Sequence, residues 1–346
     1  MVLNSTFLAQ LRGSVEQLTQ RLDSFSQARV LVVGDLTLDE FLTGQVERIS
    51  REAPVLILRH ENTKQVPGGG ANAVYNLAKL GGQIKVAGLV GKDDQGRALC
   101  GIFEEVGIDI SGILIDPCRP TVTKTRISGH ARQSVTQQIV RLDRKSDDLP
   151  DLDLQLQLAS YIRQQLDTVD AVVCSDYGDG VLTAAVIEAA LSHSRTIVDA
   201  QTDLNRYGGA MLFTPNLPEA EQAAGYNIKN AQTLLKAGCD LLNLTQSQQM
   251  LITRGEEGMS LFERMKDGEI KQLDIPAFNR TDVFDVTGAG DTVVAALTLA
   301  LCVGASSWEA AVLGNLAASI VVRQFGTATT TVEEMKEGLR SLLTQE

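Results

Sequence analysis

Short apolar runs alternate along this chain with longer segments in which apolar residues recur every three or four positions. The first run, residues 29–33, reads Arg-Val-Leu-Val-Val and ends at Gly34-Asp35. A strand that is buried on both faces of a parallel sheet is apolar at successive positions, so we predict such a strand here. Similar runs predict further strands at residues 84–89, 171–174, 196–198, 211–213 and 249–252.

Helical periodicity fills most of the intervals between these strands. It predicts helices at residues 71–80, 95–106, 154–166 and 183–192, and a leading helix within residues 1–27. Strand–helix alternation of this kind indicates an α/β domain, residues 28–346, with a mostly parallel sheet covered by helices on both faces. Ligands of such sheets bind beyond the carboxyl ends of the strands. Polar residues that directly follow a strand are therefore the candidates for function.

Two segments, residues 41–63 and 121–143, break this alternation. Both contain β-prone stretches with polar alternation, such as Thr121-Val-Thr-Lys-Thr-Arg-Ile127. We interpret them as a small antiparallel sheet that projects from the main domain as a lid. The alternative is a pair of ordinary surface hairpins.

Composition narrows the class of protein. Of the 346 residues 44% are apolar, enough for a sizeable core, and the net charge is −12. Nucleic-acid binding depends on cationic contacts to phosphates, so we expect no nucleic-acid partner. Five widely spaced cysteines predict buried free thiols in a reducing compartment. We find no stretch long enough to span a membrane and no targeting segment, and we expect a cytoplasmic protein.

The strongest chemical signal is Phe284-Asp-Val-Thr-Gly-Ala-Gly-Asp-Thr-Val-Val-Ala-Ala296, a glycine turn that runs into an apolar helix. Free backbone N–H groups at a helix start bind anions, and the helix dipole strengthens that binding. Asp291 then has two interpretations. It is either an N-terminal helix cap, or a base that accepts the proton of a substrate hydroxyl while the turn holds a transferred phosphoryl group.

This segment resembles the C-terminal signature of the ribokinase-like (PfkB) carbohydrate kinases. The N-terminal signature of that family also appears, as Pro67-Gly-Gly-Gly-Ala-Asn-Ala-Val-Tyr-Asn-Leu-Ala-Lys-Leu-Gly81, more than 200 residues earlier. The resemblance implies that Asp291 is the catalytic base, assisted by the backbone amides of Gly288, Ala289 and Gly290. It also implies that Gly69, Gly70 and Asn72 bind a sugar, where glycine permits close approach and the amide offers both donors and acceptors.

Further positions agree with the family, and the match extends from about residue 28 to residue 335. Asp35 and Asp39 follow the first strand, where such kinases bind sugar hydroxyls. Asn216 and Glu219 match an Asn-x-x-Glu element that organises Mg²⁺ through water. The resemblance thus implies ATP with Mg²⁺ as the phosphoryl donor.

Other family positions concern the nucleotide and a second cation. The residues that would line the nucleotide phosphates are Thr253, Gly255 and Gly258, together with Asn216 and Glu219. Asp285 and Thr287 match the positions where ribokinase-like enzymes bind a monovalent cation such as K⁺. A homodimer through the lid is usual in the family, so we expect one here.

Within the family, several stretches look closest to the kinases of D-glycero-D-manno-heptose 7-phosphate. They include Ser50-Arg-Glu-Ala-Pro-Val55, Gln137-Gln-Ile-Val-Arg-Leu-Asp143 and Ser175-Asp-Tyr-Gly178. A phosphorylated substrate would also explain the cations in the lid segment, for which the alternative is a solvated basic strand. The predicted lid contacts to the substrate are Lys124, Arg126, Gln138 and Arg141, with Arg132 a further cation of the segment.

Two features depart from that subgroup. It usually reads Asp-Pro-Lys-Gly where this chain has Asp199-Ala-Gln201-Thr, so an expected cation is missing. A nucleotidyltransferase domain, often fused to these kinases, is also not seen. Two alternatives therefore stay open: a kinase of another sugar such as fructose, and a non-catalytic sugar- or nucleotide-binding regulator on the same fold.

Overall fold

A computed structural model describes residues 5–131, 135–279, 283–324 and 326–344, so Arg132 lies outside the described residues. The described chain contains thirteen strands, numbered in chain order. They are β1 Arg29–Gly34, β2 Leu36–Ile49, β3 Leu56–Gly69, β4 Gln83–Gly91, β5 Asp109–Asp116, β6 Val122–His130, β7 Gln137–Arg144, β8 Ala171–Asp176, β9 Thr196–Ala200, β10 Leu212–Phe213, β11 Gln249–Thr253, β12 Met259–Arg264 and β13 Ile270–Ile275.

Nine of these strands form the main sheet in the order β13-β12-β11-β10-β9-β8-β1-β4-β5. All neighbours pair in parallel except β11–β12 and β12–β13, which are antiparallel at one edge. In β1, Val30 and Val32 belong to one hydrophobic core and Leu31 and Val33 to the other. Both faces of the sheet are thus covered, which confirms the α/β architecture predicted from the apolar runs.

Ten α-helices lie in the described residues. They are α1 Ser5–Asp23, α2 Gly70–Lys79, α3 Asp94–Glu105, α4 Leu152–Gln165, α5 Ala184–Leu191, α6 Leu217–Ala224, α7 Ala231–Thr245, α8 Ala289–Cys302, α9 Ser307–Val321 and α10 Val332–Thr344. Helix α1 packs against α10, and its Leu11, Leu18 and Leu22 are buried in the same core as α8. No helix among the described residues is long and apolar enough to cross a bilayer.

The second sheet is the lid, with strand order β3-β2-β6-β7. Its two hairpins, β2–β3 and β6–β7, are antiparallel as expected, but the central pair β2–β6 is parallel. The reason is topological, because β2 and β6 both leave the carboxyl edge of the main sheet and run outward together. Strand β2 also begins earlier than predicted, at Leu36, the residue after Asp35.

Some elements were not predicted from the pattern. Strand β5 lies at the edge of the main sheet and is only partly buried, so it lacks a continuous apolar run. Helices α6 and α7 begin with capping boxes at Asn216 and Asn230 rather than with an apolar signal. All five cysteines are free, yet only Cys174 is buried and Cys118 is exposed, so the expectation of buried thiols was wrong for most of them.

The packing of α1 gives a stability prediction. Leu18 is fully buried at 0% exposure, so Leu18→Ala leaves a cavity and should lower the free energy of unfolding by about 2–5 kcal/mol. Leu235 on α7 is 43% exposed, and Leu235→Ala should cost no more than about 0.5 kcal/mol. Urea unfolding followed by circular dichroism compares the two. Equal, small losses would mean that α1 is not part of the folded core.

Candidate active site

The predicted site residues gather at the carboxyl edge of the main sheet. A cavity of about 160 Å³ opens there, at the ends of β8 to β11 and beside the start of α8. Its lining contains Tyr177, Asp199, Gln201, Thr214, Asn216, Glu219, Thr253, Gly288, Gly290 and Asp291. Four of the strands thus each contribute a polar residue just where they end, as expected for a parallel sheet.

Asp291 is the third residue of α8 and is almost completely buried. Its Oδ2 accepts a hydrogen bond from Asn72 Nδ2 at 2.7 Å, and its Oδ1 accepts one from the Tyr177 hydroxyl at 2.8 Å. Burial raises the pKa of Asp291 to about 6, although both hydrogen bonds act in the opposite direction. A carboxyl group with such a pKa is largely ionised at neutral pH and still basic enough to accept a proton.

Gly288 is required by the geometry around Asp291. It precedes α8 in the left-handed region with φ 77°, and a Cβ there would lie 2.6 Å from Asn72 Nδ2. The first backbone bond that continues α8 runs from Thr292 N–H to the Gly288 carbonyl, so the Gly290 amide has no i−4 partner within the helix. The Ala289 amide, predicted to hold an anion, instead donates to the Val286 carbonyl at 3.2 Å.

The glycines of the N-terminal signature allow close packing of neighbouring backbone segments. A Cβ on Gly70 would lie 2.8 Å from the Asp35 carbonyl, whose oxygen accepts the Gly70 amide at 3.0 Å. A Cβ on Gly69 would meet Thr37 Oγ1 at 2.9 Å. These glycines therefore let α2 start directly against β1 and β2, which brings Asn72 to the base.

The Asp35 carboxylate, predicted to bind sugar hydroxyls, is engaged by backbone amides in this structure. It is fully buried, and its carboxylate accepts three backbone N–H groups, from Tyr177, Asp179 and Val181 at 2.8–3.0 Å. Burial raises its pKa to about 6 against these hydrogen bonds. The carboxylate therefore fixes the loop after β8 and, through it, the position of Tyr177.

The lid residues predicted to bind substrate lie on one face of the lid sheet. Asp39 is opposite Lys124, and Arg126 is opposite Arg141. A bulge at Ile139 then places Gln138 opposite Ser128, on that same face. Lys124 Nζ lies 5.7 Å from the centroid of the Tyr177 ring, so this face is turned towards Tyr177 and Asp291.

The cationic side chains on that face differ in whether they form ion pairs with aspartate residues. Arg126 Nη1 lies 3.1 Å from Asp39 Oδ1, and Arg141 forms a bidentate pair with Asp143 at 2.5–2.7 Å. Lys124 forms no ion pair with any residue that the structure describes, and its charge lowers the pKa of Asp291. Lys124 is therefore the cation best placed to meet an anionic substrate.

Asn216 and Glu219 form the capping box of α6. The Asn216 side chain accepts the Glu219 amide, and Glu219 Oε2 accepts the Asn216 amide, both at 2.9 Å. Burial raises the pKa of Glu219, and burial together with the nearby charges of Asp291 and Glu219 raises that of Asp199 well above its usual range. Carboxylates that repel each other in this way favour a bound cation, and hard oxygen donors suit Mg²⁺.

The described residues contain no cluster of three or more acidic, histidine or cysteine side chains arranged around a common metal position. Magnesium commonly keeps several water ligands and binds one or two carboxylates plus substrate phosphates. Asn216 and Glu219 therefore fit a water-mediated ion better than a directly bound one.

Asp285 and Thr287, the candidates for a monovalent cation, are engaged in local structure. Asp285 Oδ1 accepts the Thr287 amide and Oδ2 accepts the Gly326 amide, both at 2.9 Å. Burial alone would raise the pKa of Asp285, but these hydrogen bonds outweigh it and hold the pKa below its usual range. The carboxylate thus shapes the loop before α8.

A larger, mostly apolar pocket of about 470 Å³ adjoins the cleft, with Thr253 and Gly290 common to both. Gly255 and Gly258 lie in its wall, both with positive φ, and Ala277, Phe278, Val286 and Val322 supply apolar surface. An apolar pocket that continues into a polar cleft suits a heterocyclic base with attached phosphates.

Four cleft residues were not identified as site residues from the sequence. Tyr177 contacts Asp291, while Asp199, Gln201 and Thr214 line the cleft with Glu219. Their positions in the sequence could have identified them, since each lies at or just after the end of a predicted strand. Gln201 occupies the position where the heptose kinases usually have lysine, so this corner of the cleft lacks that charge.

The sequence resembles known proteins over most of its length. Residues 27–335 match the profile of the pfkB family carbohydrate kinases. The bifunctional protein HldE of Desulfatibacillum aliphaticivorans is 41% identical over 322 residues, 91% of this chain and 64% of that protein. HldE of Geobacter metallireducens is 42% identical over 90% of this chain and 63% of that protein. The chain thus spans a little under two thirds of the length of these curated relatives.

Solved structures share the fold at low sequence identity. Ribokinase from Arabidopsis thaliana, solved with ribose and ATP, superposes with a TM-score of 0.68 at 20% identity over 92% of this chain and 99% of that chain. Phosphofructokinase-2 from Escherichia coli in complex with potassium gives 0.71 at 19% identity over 91% and 99%. The ribokinase-like fold predicted from the two signatures is confirmed. On the match of its sequence to the family profile and to the curated relatives, the chain belongs to the pfkB family of carbohydrate kinases.

Proposed function

We propose that this sugar kinase transfers the γ-phosphoryl group of ATP to a sugar hydroxyl, with Asp291 as the general base. The observation that carries the proposal is the buried Asp291 carboxylate at the start of α8, between a polar cleft and an apolar pocket. A residue that only capped α8 would have no need of donors from α2 and from the loop after β8.

In the proposed mechanism Asn72 and Tyr177 orient the carboxylate, and Asp291 accepts the proton of the attacking hydroxyl. The amides at the start of α8, Gly290 in particular, stabilise the negative charge on the transferred group together with the helix dipole. The adenine lies in the apolar pocket, and Thr253, Gly255 and Gly258 border the phosphates. Asp35 acts indirectly, by holding the loop that carries Tyr177.

The proposed mechanism involves Mg²⁺ and a monovalent cation such as K⁺. Magnesium would be held through water by Asn216 and Glu219, and when bound it neutralises charge on the phosphates of ATP. A monovalent cation would bind at the loop that Asp285 and Thr287 shape. Cytoplasmic ATP would be the donor.

Removal of the base gives the first test of this function. In the presence of Mg-ATP and a panel of sugars and sugar phosphates, the purified protein should release ADP with at least one acceptor. Asp291→Asn should lower kcat by about 10²- to 10⁴-fold, the usual contribution of a general base. The affinity for ATP, measured by calorimetry, should hardly change because the anion-holding groups are backbone amides.

The matched control is Asp94→Asn, which changes an exposed aspartate in the first turn of α3. It should leave turnover unchanged. No ADP release with any acceptor would favour a binding protein on the same fold. Near-normal turnover of Asp291→Asn would assign Asp291 to helix capping alone.

For the substrate we propose a sugar that already carries a phosphate, D-glycero-D-manno-heptose 7-phosphate, phosphorylated on its 1-hydroxyl. The stretches that resemble heptose-7-phosphate kinases support this substrate, as does the identity of about 40% to proteins named HldE. The ring would lie near Asp39, Gly69, Gly70 and Asn72. The far phosphate would meet the lid face, where Lys124 is closest to the base and Arg126, Gln138 and Arg141 lie beyond it.

Lys124→Met should therefore discriminate between substrates. One charge-assisted hydrogen bond contributes about 1.5–3 kcal/mol, so kcat/KM for the phosphorylated sugar should fall about 10- to 150-fold. The loss for the unphosphorylated analogue should be much smaller. Arg141→Ala should act in the same direction, but less strongly, because Asp143 already neutralises Arg141.

Steady-state kinetics of each variant with the phosphorylated sugar and with its unphosphorylated analogue measure these losses in kcat/KM. Equal losses on the two substrates would mean that these cations only support the lid. A parent enzyme that prefers an unphosphorylated hexose such as fructose would rule out the heptose.

We further propose a homodimer through the outer face of the lid. That face carries Val140 opposite Ile127 and Leu142 opposite Thr125, and both Val140 and Leu142 are about half exposed. Exposed apolar surface of this kind marks association sites. A second copy would cover it and leave the inner face over the sugar.

Leu142→Glu should convert the dimer to a monomer, because the buried charge would be unpaired. Light scattering after size-exclusion chromatography, at micromolar protein, measures the mass. The control Leu244→Glu places the same charge at an exposed leucine of α7 and should leave the dimer intact. A parent protein that elutes as a monodisperse monomer would contradict the proposal.

A further inference from the structure

A chain of buried amides continues from Asp291 into the interior. Asn76 on α2 is fully buried, and its Nδ2 lies 2.9 Å from the Asn72 carbonyl oxygen and 3.1 Å from Asn72 Oδ1. On its other side, Asn76 Oδ1 lies 3.0 Å from Thr292 Oγ1, and shares the hydrogen of that hydroxyl with the Gly288 carbonyl, also at 3.0 Å. Thr292 is the next residue after the base, so the chain joins α2 to α8 at the active site.

The orientation of the Asn76 amide is fixed by the backbone. A rotation of 180° about its terminal torsion would place Oδ1 of Asn76 against the Asn72 carbonyl oxygen at a distance suited only to a hydrogen bond. Two acceptors cannot share that contact, whereas the two hydrogens of the NH₂ group satisfy both oxygens of Asn72. Asn76 must therefore present its NH₂ group to Asn72.

The fixed orientation of the Asn76 amide in turn determines the orientation of the Asn72 amide. Because Oδ1 of Asn72 accepts from Asn76, the NH₂ group of Asn72 is left to face Asp291, to which it donates at 2.7 Å. In the reversed orientation Asn72 would direct its oxygen at the carboxylate and repel the ionised base. Asn76, one helical turn away, thus holds Asn72 in the orientation that stabilises the charge on Asp291.

We propose that Asn76 is a positioning residue of the kinase, which fixes the amide orientation of Asn72 and so keeps the base ionised and aligned. The proposal rests on the proposed role of Asp291. It assigns to Asn76 no contact with substrate, since Asn76 acts only through Asn72.

Other charged and titratable groups around Asp291 are unchanged by a substitution at Asn76. Asp39 on β2 raises the pKa of the base, and Lys124 on β6 lowers it. Asp199 at the end of β9 and Glu219 on α6 line the same cleft, and the Tyr177 hydroxyl donates to Oδ1. A shift confined to Asn76 variants therefore reports the Asn72 hydrogen bond.

The test is Asn76→Leu, which has nearly the same shape but no hydrogen-bonding group. Without the NH₂ group of Asn76 the Asn72 amide is free to rotate, which weakens its hydrogen bond to the ionised carboxylate, so the pKa of Asp291 should rise. We expect a rise of about one pH unit, the size expected for one hydrogen bond to a charged group. The acidic limb of kcat/KM against pH should move upward by the same amount, while the KM for ATP stays unchanged.

Direct titration separates this inference from the kinase assignment. In the full chain, the carboxyl carbon of Asp291 is followed by ¹³C NMR, with Asp291→Asn to assign the signal. This measurement needs no turnover. An unshifted titration in Asn76→Leu would overturn the role of Asn76 and leave the kinase proposal untouched. A parent protein without kinase activity would refute the kinase proposal, and a shifted titration would then show only that Asn76 controls the pKa of Asp291.

A double-mutant cycle excludes a packing effect. In the background Asn72→Ala, a further change of Asn76 to Leu should not shift the pKa of Asp291 any further, because the side chain through which Asn76 acts is already missing. Additive shifts would refute the proposal. Should Asn76→Leu not fold, Asn76→Ser gives the same expected direction. The control Thr298→Val removes a buried hydroxyl elsewhere on α8, one without a hydrogen-bond partner among the described residues, and should leave the pKa and the rate unchanged.

Discussion

The burial of one carboxylate, Asp291, is the constraint on which the site depends. Its side chain is almost completely buried, and an ionised carboxylate in such surroundings is costly unless donors replace the lost hydration. One donor comes from α2 and the other from the loop after β8, two parts of the chain about a hundred residues apart. The glycines before α2 and α8 are what allow these segments to approach closely enough.

The charge distribution around the cleft follows from the same constraint. The protein is acidic overall, and Asp199, Glu219 and Asp291 add negative charge where an anionic nucleotide would lie. Such a site can bind phosphates only with cations that arrive with the substrate or reach in from the lid. Lys124, which forms no ion pair with a described residue, is one such cation, whereas Gln201 adds no positive charge to the cleft.

The sequence predicted the strands of the parallel sheet well, because residues such as Val30 to Val33 are apolar on both faces and few other structures produce that pattern. Two long signatures likewise predicted Asp291, Asn72 and the glycine turn. The roles of Asp35 and Tyr177 could not be obtained in this way, since they depend on which backbone groups a folded loop brings within 3.0 Å. The parallel pairing of β2 with β6 could not be predicted either, because pairing between strands that are distant in sequence leaves no local pattern.

The bulge at Ile139 has a consequence for how such an enzyme can diverge. Side chains alternate between the two faces of a strand, so one inserted residue decides which of them point inward on either side of it. Gln138 and Arg141 share a face only because Ile139 is unpaired. Deletion of Ile139 would place Gln138 and Arg141 two positions apart on a regular strand, so both would keep the same face without the bulge. The length of this strand can thus change by one residue at position 139 while its polar side chains stay on the inner face of the lid.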